Sequence, residues 1–240
     1  MKTGVGQRLI LITSDEGHNW MLKKPKELFF YSFLISLVLR NERSLRFFMI
    51  DNKLDKRTLI MVTTLDLISE QGFHGTPISM IAQRAGIGAG TIYRYFANKE
   101  ELINELFKEI KREVIRAMLN NYGEEGTYEQ RFMHLWKNMV YYFMEHPKGF
   151  QFIEQHRYAP YVSNLTREES FLILSPIMMF FIESKRAKAM KDLPLYTIIA
   201  LLYGPIVSLL KQHIDNNQNL STDRINQAAE ACWDAVKFKL

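Results

Sequence analysis

Cysteine occurs once in the 240 residues, at Cys232. A single thiol excludes an intramolecular disulfide and suits a reducing, cytoplasmic setting. Glycine and proline are sparse, and Val, Ile and Thr seldom alternate with polar residues, so β architecture has little to build on. Chemistry-bearing motifs are missing too. The six histidines have no HExxH-like or other metal-ligand spacing, and there is no G-x-S-x-G, P-loop or G-x-G-x-x-G. Residues 86–90 (GIGAG) look superficially like a phosphate loop, but no strand precedes them. No catalytic residue, metal or cofactor is therefore expected, and Cys232, among alanines, reads as packing. A membrane span is lacking in the N-terminal region as well. The apolar run at 29–39 (FFYSFLISLVL) falls short of the roughly 20 residues that a spanning helix needs.

The formal charge is +5, but it is unevenly placed. Residues 1–48 hold Lys2, Arg8, Lys23, Lys24, Lys26, Arg40, Arg43 and Arg46 against Asp15, Glu16, Glu27 and Glu42, which is most of the excess. An affinity for nucleic acid must therefore be argued from local placement, not from the total. Residues 1–48 also differ in texture from the rest. Three readings are open: translation starting at Met49, a loosely docked helical extension, or a membrane-associating anchor.

From Asp51 the apolar residues recur at helical spacing, and an all-α chain is expected. A first helix spans 51–71, with Lys53, Lys56 and Arg57 in its first turns, and Gly72 ends it. Phe73 plugs the core. Thr76 reads as an N-cap with Pro77 as the first helical residue, opening a short helix whose buried face is Ile78, Ile81, Ala82 and Ala85. Gly86 has the position of a left-handed cap, Ile87 fills the turn, and Gly88 starts the next helix. That helix, residues 89–96, turns Ile92 and Phe96 inward and leaves Thr91, Tyr93, Arg94 and Tyr95 largely outward. Asn98 caps a long helix from Lys99 to about Asn120, in whose first turn Lys99 lies. Two short helices across a glycine turn, the second bearing hydroxyls, an arginine and no outward aliphatic, fit a major groove and its phosphates.

The string Ile81-Ala82, Ala85-Gly86-Ile87, Gly90-Thr91-Ile92-Tyr93, Phe96 and Asn98-Lys99-Glu100-Glu101-Leu102 resembles the DNA-binding domain of the tetracycline-repressor family. The resemblance covers roughly residues 53–113. It implies an N-terminal three-helix helix-turn-helix domain over 53–113 and a larger helical effector-binding and dimerisation domain over 114–240. It further implies that Tyr93 and Lys99 contact phosphates, while Ala89, Gly90, Thr91 and Tyr95 lie nearest bases or backbone in the major groove; Thr76, Gly88 and Arg94 complete the candidate DNA-binding set. Gly88 stands where many members have serine, and Pro77 where threonine or serine is usual, with Thr76 as the substitute. No bidentate base reader stands at 89 or 90, so sequence choice would rest on Tyr95, Thr91 and DNA shape.

Beyond the break at 122–126, helices are expected at 127–145 and 150–156, then after a capping box of Thr166 and Glu169, with Pro176 as a kink. A basic stretch at 185–191 reads as solvated. Pro194 opens another apolar helix, and Ser221 caps the last. Helices apolar on nearly all sides imply a cavity or a subunit interface. By resemblance, the last two helices form the homodimer and the middle ones enclose an effector pocket. The pocket candidates are Trp136, Phe143, Phe152, His156, Tyr158, Tyr161 and Met178, and a small hydrophobic or aromatic effector is expected. The function implied is a dimeric, ligand-released repressor on palindromic double-stranded DNA, without stable membrane insertion. Activation instead of repression is also compatible with these residues. The alternative is a non-enzymatic carrier or sensor of hydrophobic ligands with a vestigial helix-turn-helix.

Overall fold

The computed structural model describes residues 55–215 and 218–238. The expectations for residues 1–48, for Met49 and for Lys53 lie outside these. Ten helices make up the described part, with one isolated antiparallel bridge between Met190 and Lys237.

Helix α1 (Lys56–Gly75) starts after Asp55, later than expected, and buries Ile60, Leu65, Leu67 and Ile68. Gly72, at φ 72° and ψ 174°, breaks it, and one more turn follows. Thr76 is not a cap. Its side chain is fully buried, and its hydroxyl donates to the Gly72 carbonyl at 2.9 Å, where the broken helix leaves an acceptor without its usual partner. Pro77 takes the cap position of α2 (Ile78–Ala85) without a side-chain bond. Gly86, at φ 66° and ψ 32°, supplies the left-handed turn, and the Ile87 N–H returns to the Ala82 carbonyl at 3.0 Å. The following helix, α3 (Ala89–Tyr93), is shorter than expected, though the Phe96 N–H still reaches the Ile92 carbonyl.

Helix α4 spans Lys99–Met118. Asn98 caps it by accepting from the Glu101 N–H at 2.8 Å. Its buried row runs through Leu102, Leu106, Ile110 and Val114. The expected boundary between 113 and 114 falls inside this continuous helix. Thr127 and Gln130 form a capping box for α5 (Tyr128–Glu145). Pro147 then opens α6 (Pro147–His156) at once, because its fixed φ suits a first turn.

Ser163, not Thr166, caps α7 (Asn164–Ile173); its oxygen accepts from the Thr166 N–H at 3.0 Å. Glu169 instead pairs with Lys108 at 2.6 Å. The proline at 176 does more than bend a helix: the chain restarts as α8 (Ser175–Arg186), with Pro176 in its first turn. Lys185, in the stretch expected to be solvated, donates to the Leu193 carbonyl. Helix α9 (Leu195–Asp215) contains Pro205, which cannot donate to Leu201. The Cys232 sulfur lies 4.0 Å from that carbonyl. Helix α10 (Thr222–Val236) closes the fold with Ser221 as its cap.

Helix α9 is the exception to the amphipathic pattern. Its most apolar stretch has a mean hydropathy of 1.4, yet only 22% of it is buried within one chain. Ile198, Leu202, Ile206 and Leu210 face inward, while Tyr196 and Leu201 are exposed.

Candidate nucleic-acid interface and effector cavity

The second helix of the helix-turn-helix is anchored by its apolar side alone. Ile92 and Phe96 are essentially inaccessible. Behind them the Arg57 guanidinium lies 5.5 Å from the Phe96 ring centre and pairs with Glu105 at 2.8 Å. With those two residues held, the opposite side of α3 must face solvent. Tyr93 is 54% exposed, Arg94 is exposed, and Thr91 is half-buried. Arg94 has no ion-pair partner among the described residues. Tyr95 differs, because it is partly buried against the core and so offers less surface than expected.

Glycine at 88 and 90 is not required by the fold. Neither has a positive φ, and a Cβ built at either position meets no atom within 4 Å. Ala89 is partly buried between them. A surface that keeps positions 88 and 90 open on either side of Ala89, without internal reason, suits close approach by something outside the chain.

Lys99 has an internal partner. Its ammonium donates to the Phe73 carbonyl and lies 4.1 Å from the Phe73 ring centre. Burial lowers its pKa from the ordinary value. Rather than standing free beside α3, it braces the last turn of α1.

The larger half holds a partly open apolar cavity of about 200 Å³. Trp136, Phe143 and Met178, named from the sequence, line it together with Phe132, Phe180 and Ile206. The Trp136 indole N–H is fixed by the Leu202 carbonyl of α9 at 3.0 Å. Phe152, His156, Tyr158 and Tyr161 lie elsewhere. Phe152 and His156 stack at 4.2 Å, and the His156 Nδ1–H donates to the Phe152 carbonyl at 2.8 Å. Burial depresses the pKa of His156, which favours the neutral ring, and the facing carbonyl makes Nδ1 the donor. Tyr158 is 80% exposed beneath Arg157. Tyr161 stacks on Phe73 at 3.9 Å, against the helix-turn-helix. The physical reason is that aromatic type marks a residue for burial but does not say on which side of a helix the void lies.

Polar residues of the cavity were not among the candidates. Lys111, Arg157 and Tyr203 line it. Arg157 pairs with Glu154 at 3.3 Å, and the Tyr203 hydroxyl donates to the same carboxylate at 2.8 Å. Burial, then the neighbouring Arg157 charge, lowers the Lys111 ammonium to about 8. The signal was present in the sequence: Ile103, Phe107, Lys111 and Ile115 recur four apart, so the lysine occupies a core-facing place in an apolar row.

Two family models match in succession and without a gap. One, described as bacterial regulatory proteins of the tetR family, matches residues 60–106; the other, described as a tetracyclin repressor-like C-terminal domain, matches residues 107–238. The chain belongs to the tetracycline-repressor family. Its members are DNA-binding transcription regulators, and the all-helical fold with an N-terminal helix-turn-helix is that of the family. A fatty acid metabolism regulator protein from Bacillus subtilis is 37% identical over 79 residues, 33% of this chain and 41% of its own length. The matches to the first curated relatives span between 36% and 58% of their lengths. Among solved structures, a tetR family transcription regulator from a Shewanella species has a TM-score of 0.71 at 24% identity, covering 77% of this chain and 100% of its own. A TetR family regulator from Vibrio parahaemolyticus reaches 0.68 at 26% identity, with the same coverage.

Proposed function

We propose that this regulator is a dimeric repressor, acting in the cytoplasm, which binds a palindromic operator through α3 and is released by a ligand in the apolar cavity. The observation that carries the reading is the outward surface of α3. It presents Thr91, Tyr93 and Arg94 beside two open glycine positions, on a helix fixed from behind by Ile92 and Phe96. Tyr93 and Arg94 are the phosphate contacts, and Thr91 with the backbone at 88–90 comes nearest the bases. Thr76 drops out of the contact set because it is buried.

The half-bare α9 supports a second copy of this chain as its partner. A helix this apolar is stable in water only when both faces are covered, and α10 offers exposed Ala231 and Ala235 for close approach. Two copies would set their α3 helices about 34–36 Å apart, one turn of duplex.

Helix α4 supports the coupling. It begins beside α3 at Asn98, and Lys111, Val114, Ile115 and Met118 further along it line the cavity. A second connection runs along the backbone from Arg157 at the cavity to Tyr161, which rests on Phe73, which Lys99 holds. Asn104 of α4 ties the same loop, donating to the Tyr161 carbonyl at 2.8 Å and accepting from the Ser163 N–H at 3.0 Å. A ligand that favours another arrangement of these contacts shifts the population off DNA.

Gel shifts with genomic fragments and with random DNA, at fixed salt, test the reading. The expected result is a fragment bound at least a hundredfold tighter than random DNA, with Tyr93→Ala and Arg94→Ala each weakening it. Equal affinity for every fragment would leave the hydrophobic carrier as the better account.

A further inference from the structure

The apolar cavity carries one cation for which the described residues supply no acceptor. Lys111 stands on the inward row of α4, half-buried, with its ammonium 4.7 Å from the Phe107 ring centre. Among the described residues it has no hydrogen-bond acceptor and no carboxylate partner. Other half-buried lysines are provided for. Lys108 has Glu105 and Glu169, Lys185 has Asp192 and the Leu193 carbonyl, and Lys99 has the Phe73 carbonyl.

A second cation makes the imbalance larger. Arg157 shares the cavity wall, but its charge is met by Glu154, whose carboxylate also takes the Tyr203 hydroxyl. Both contacts fall on Glu154 Oε1, and among the described residues neither oxygen of this carboxylate pairs with Lys111. A charge half-removed from water without a partner is unfavourable unless something supplies one. The depressed pKa of Lys111, caused by burial and by Arg157, expresses the same deficit. At neutral pH the ammonium still carries its proton, so the cavity has a positive end and an apolar body.

We infer that the effector is an amphipathic anion, with an apolar body among Trp136, Phe143 and Phe180 and one terminal carboxylate paired to Lys111 beside Arg157. This rests on the reading of the cavity as the effector site. The volume suits the body: about 200 Å³ exceeds the ~150 Å³ that holds a benzene ring. A neutral or cationic analogue of equal shape would leave the ammonium unmet or add a third like charge.

Three near-isosteric probes differ only in their head group: decanoate, decanamide and decylamine. Each is titrated into the full-length protein at neutral pH by calorimetry, and into its complex with a captured DNA fragment by gel shift. Decanoate is expected to bind at least tenfold tighter than decanamide, and decylamine weakest. Lys111→Met should abolish that preference while decanamide binds at least as well as before; Lys111→Arg should retain it. Methionine keeps the length and helix propensity, and a melting curve confirms that the variant folds. Equal binding of decanoate and decanamide, or a preference that survives Lys111→Met, overturns the anion site. Binding by none of the three overturns it together with the cavity reading. Selective decanoate binding that does not release DNA supports the anion site and refutes ligand-released repression.

Discussion

Replacing Gly90 by alanine separates what the fold needs from what DNA needs. Gly90 lies in the first turn of α3, is exposed, and has an ordinary negative-φ backbone. A Cβ there meets no atom of the chain within 4 Å. The methyl therefore costs nothing in packing, and alanine is the better helix former by about 0.5–1 kcal/mol. For a chain of this size that corresponds to a melting temperature higher by roughly 1–4 °C. On DNA the same methyl stands where the helix must come close, and losing one good contact costs about 1–3 kcal/mol, or roughly five- to a hundredfold in affinity. Thermal melts of the free protein and fluorescence anisotropy on a captured fragment measure the two effects. Opposite signs are expected: a slightly more stable protein that binds DNA more weakly. Unchanged affinity in a folded variant would refute the placement of Gly90 against DNA, and a marked loss of stability would refute the open space around it.

Glu113 gives a pH prediction. It is 3% exposed, and burial above all, with Glu109 adding and Arg116 opposing, raises its carboxyl to about 8. The folded state keeps a proton that the unfolded chain releases near pH 4.5, so native stability falls as pH rises from about 4.5 to about 8, by at most ~1.4 kcal/mol per unit. Glu113→Gln needs no proton and should be more stable at about pH 7.5 by roughly 1–3 kcal/mol, with the gap closing toward about pH 5; denaturant melts giving the same difference at both pH values would contradict this. Tyr161→Ala removes the stack on Phe73 and should leave decanoate affinity within about twofold while reducing DNA release by the ligand severalfold; full release would break the proposed connection. Leu201→Glu on the bare face of α9 should convert the dimer to monomer by sedimentation, leaving far-UV circular dichroism intact, and a persisting dimer would move the interface elsewhere.

The helix-turn-helix could be read from the sequence because local chemistry decides it. A left-handed turn asks for glycine, and Gly86 has that conformation; Asn98 offers the side-chain oxygen that a helix start needs; the spacing of Ile92 and Phe96 sets which side of α3 faces out. Hydroxyl caps were less certain, because several candidates compete. Thr76 precedes a proline as a cap would, yet bonds back to Gly72, and Ser163 takes the role that Thr166 could also have filled. The cavity was legible only in part. Whether an aromatic lines a void or seals a core depends on how separate helices cross, and so Trp136 and Tyr161, alike in sequence terms, end on different surfaces. Lys111 could have been found from its place in an apolar row, where a charge has no structural reason to be.

The most direct test is to capture genomic DNA fragments on the purified protein, sequence them, and repeat the capture with Tyr93→Ala and with saturating decanoate. One enriched palindromic sequence is expected for the native protein, lost in the variant and reduced by the ligand. Fragments with no shared sequence, or an enrichment indifferent to Tyr93, would contradict it.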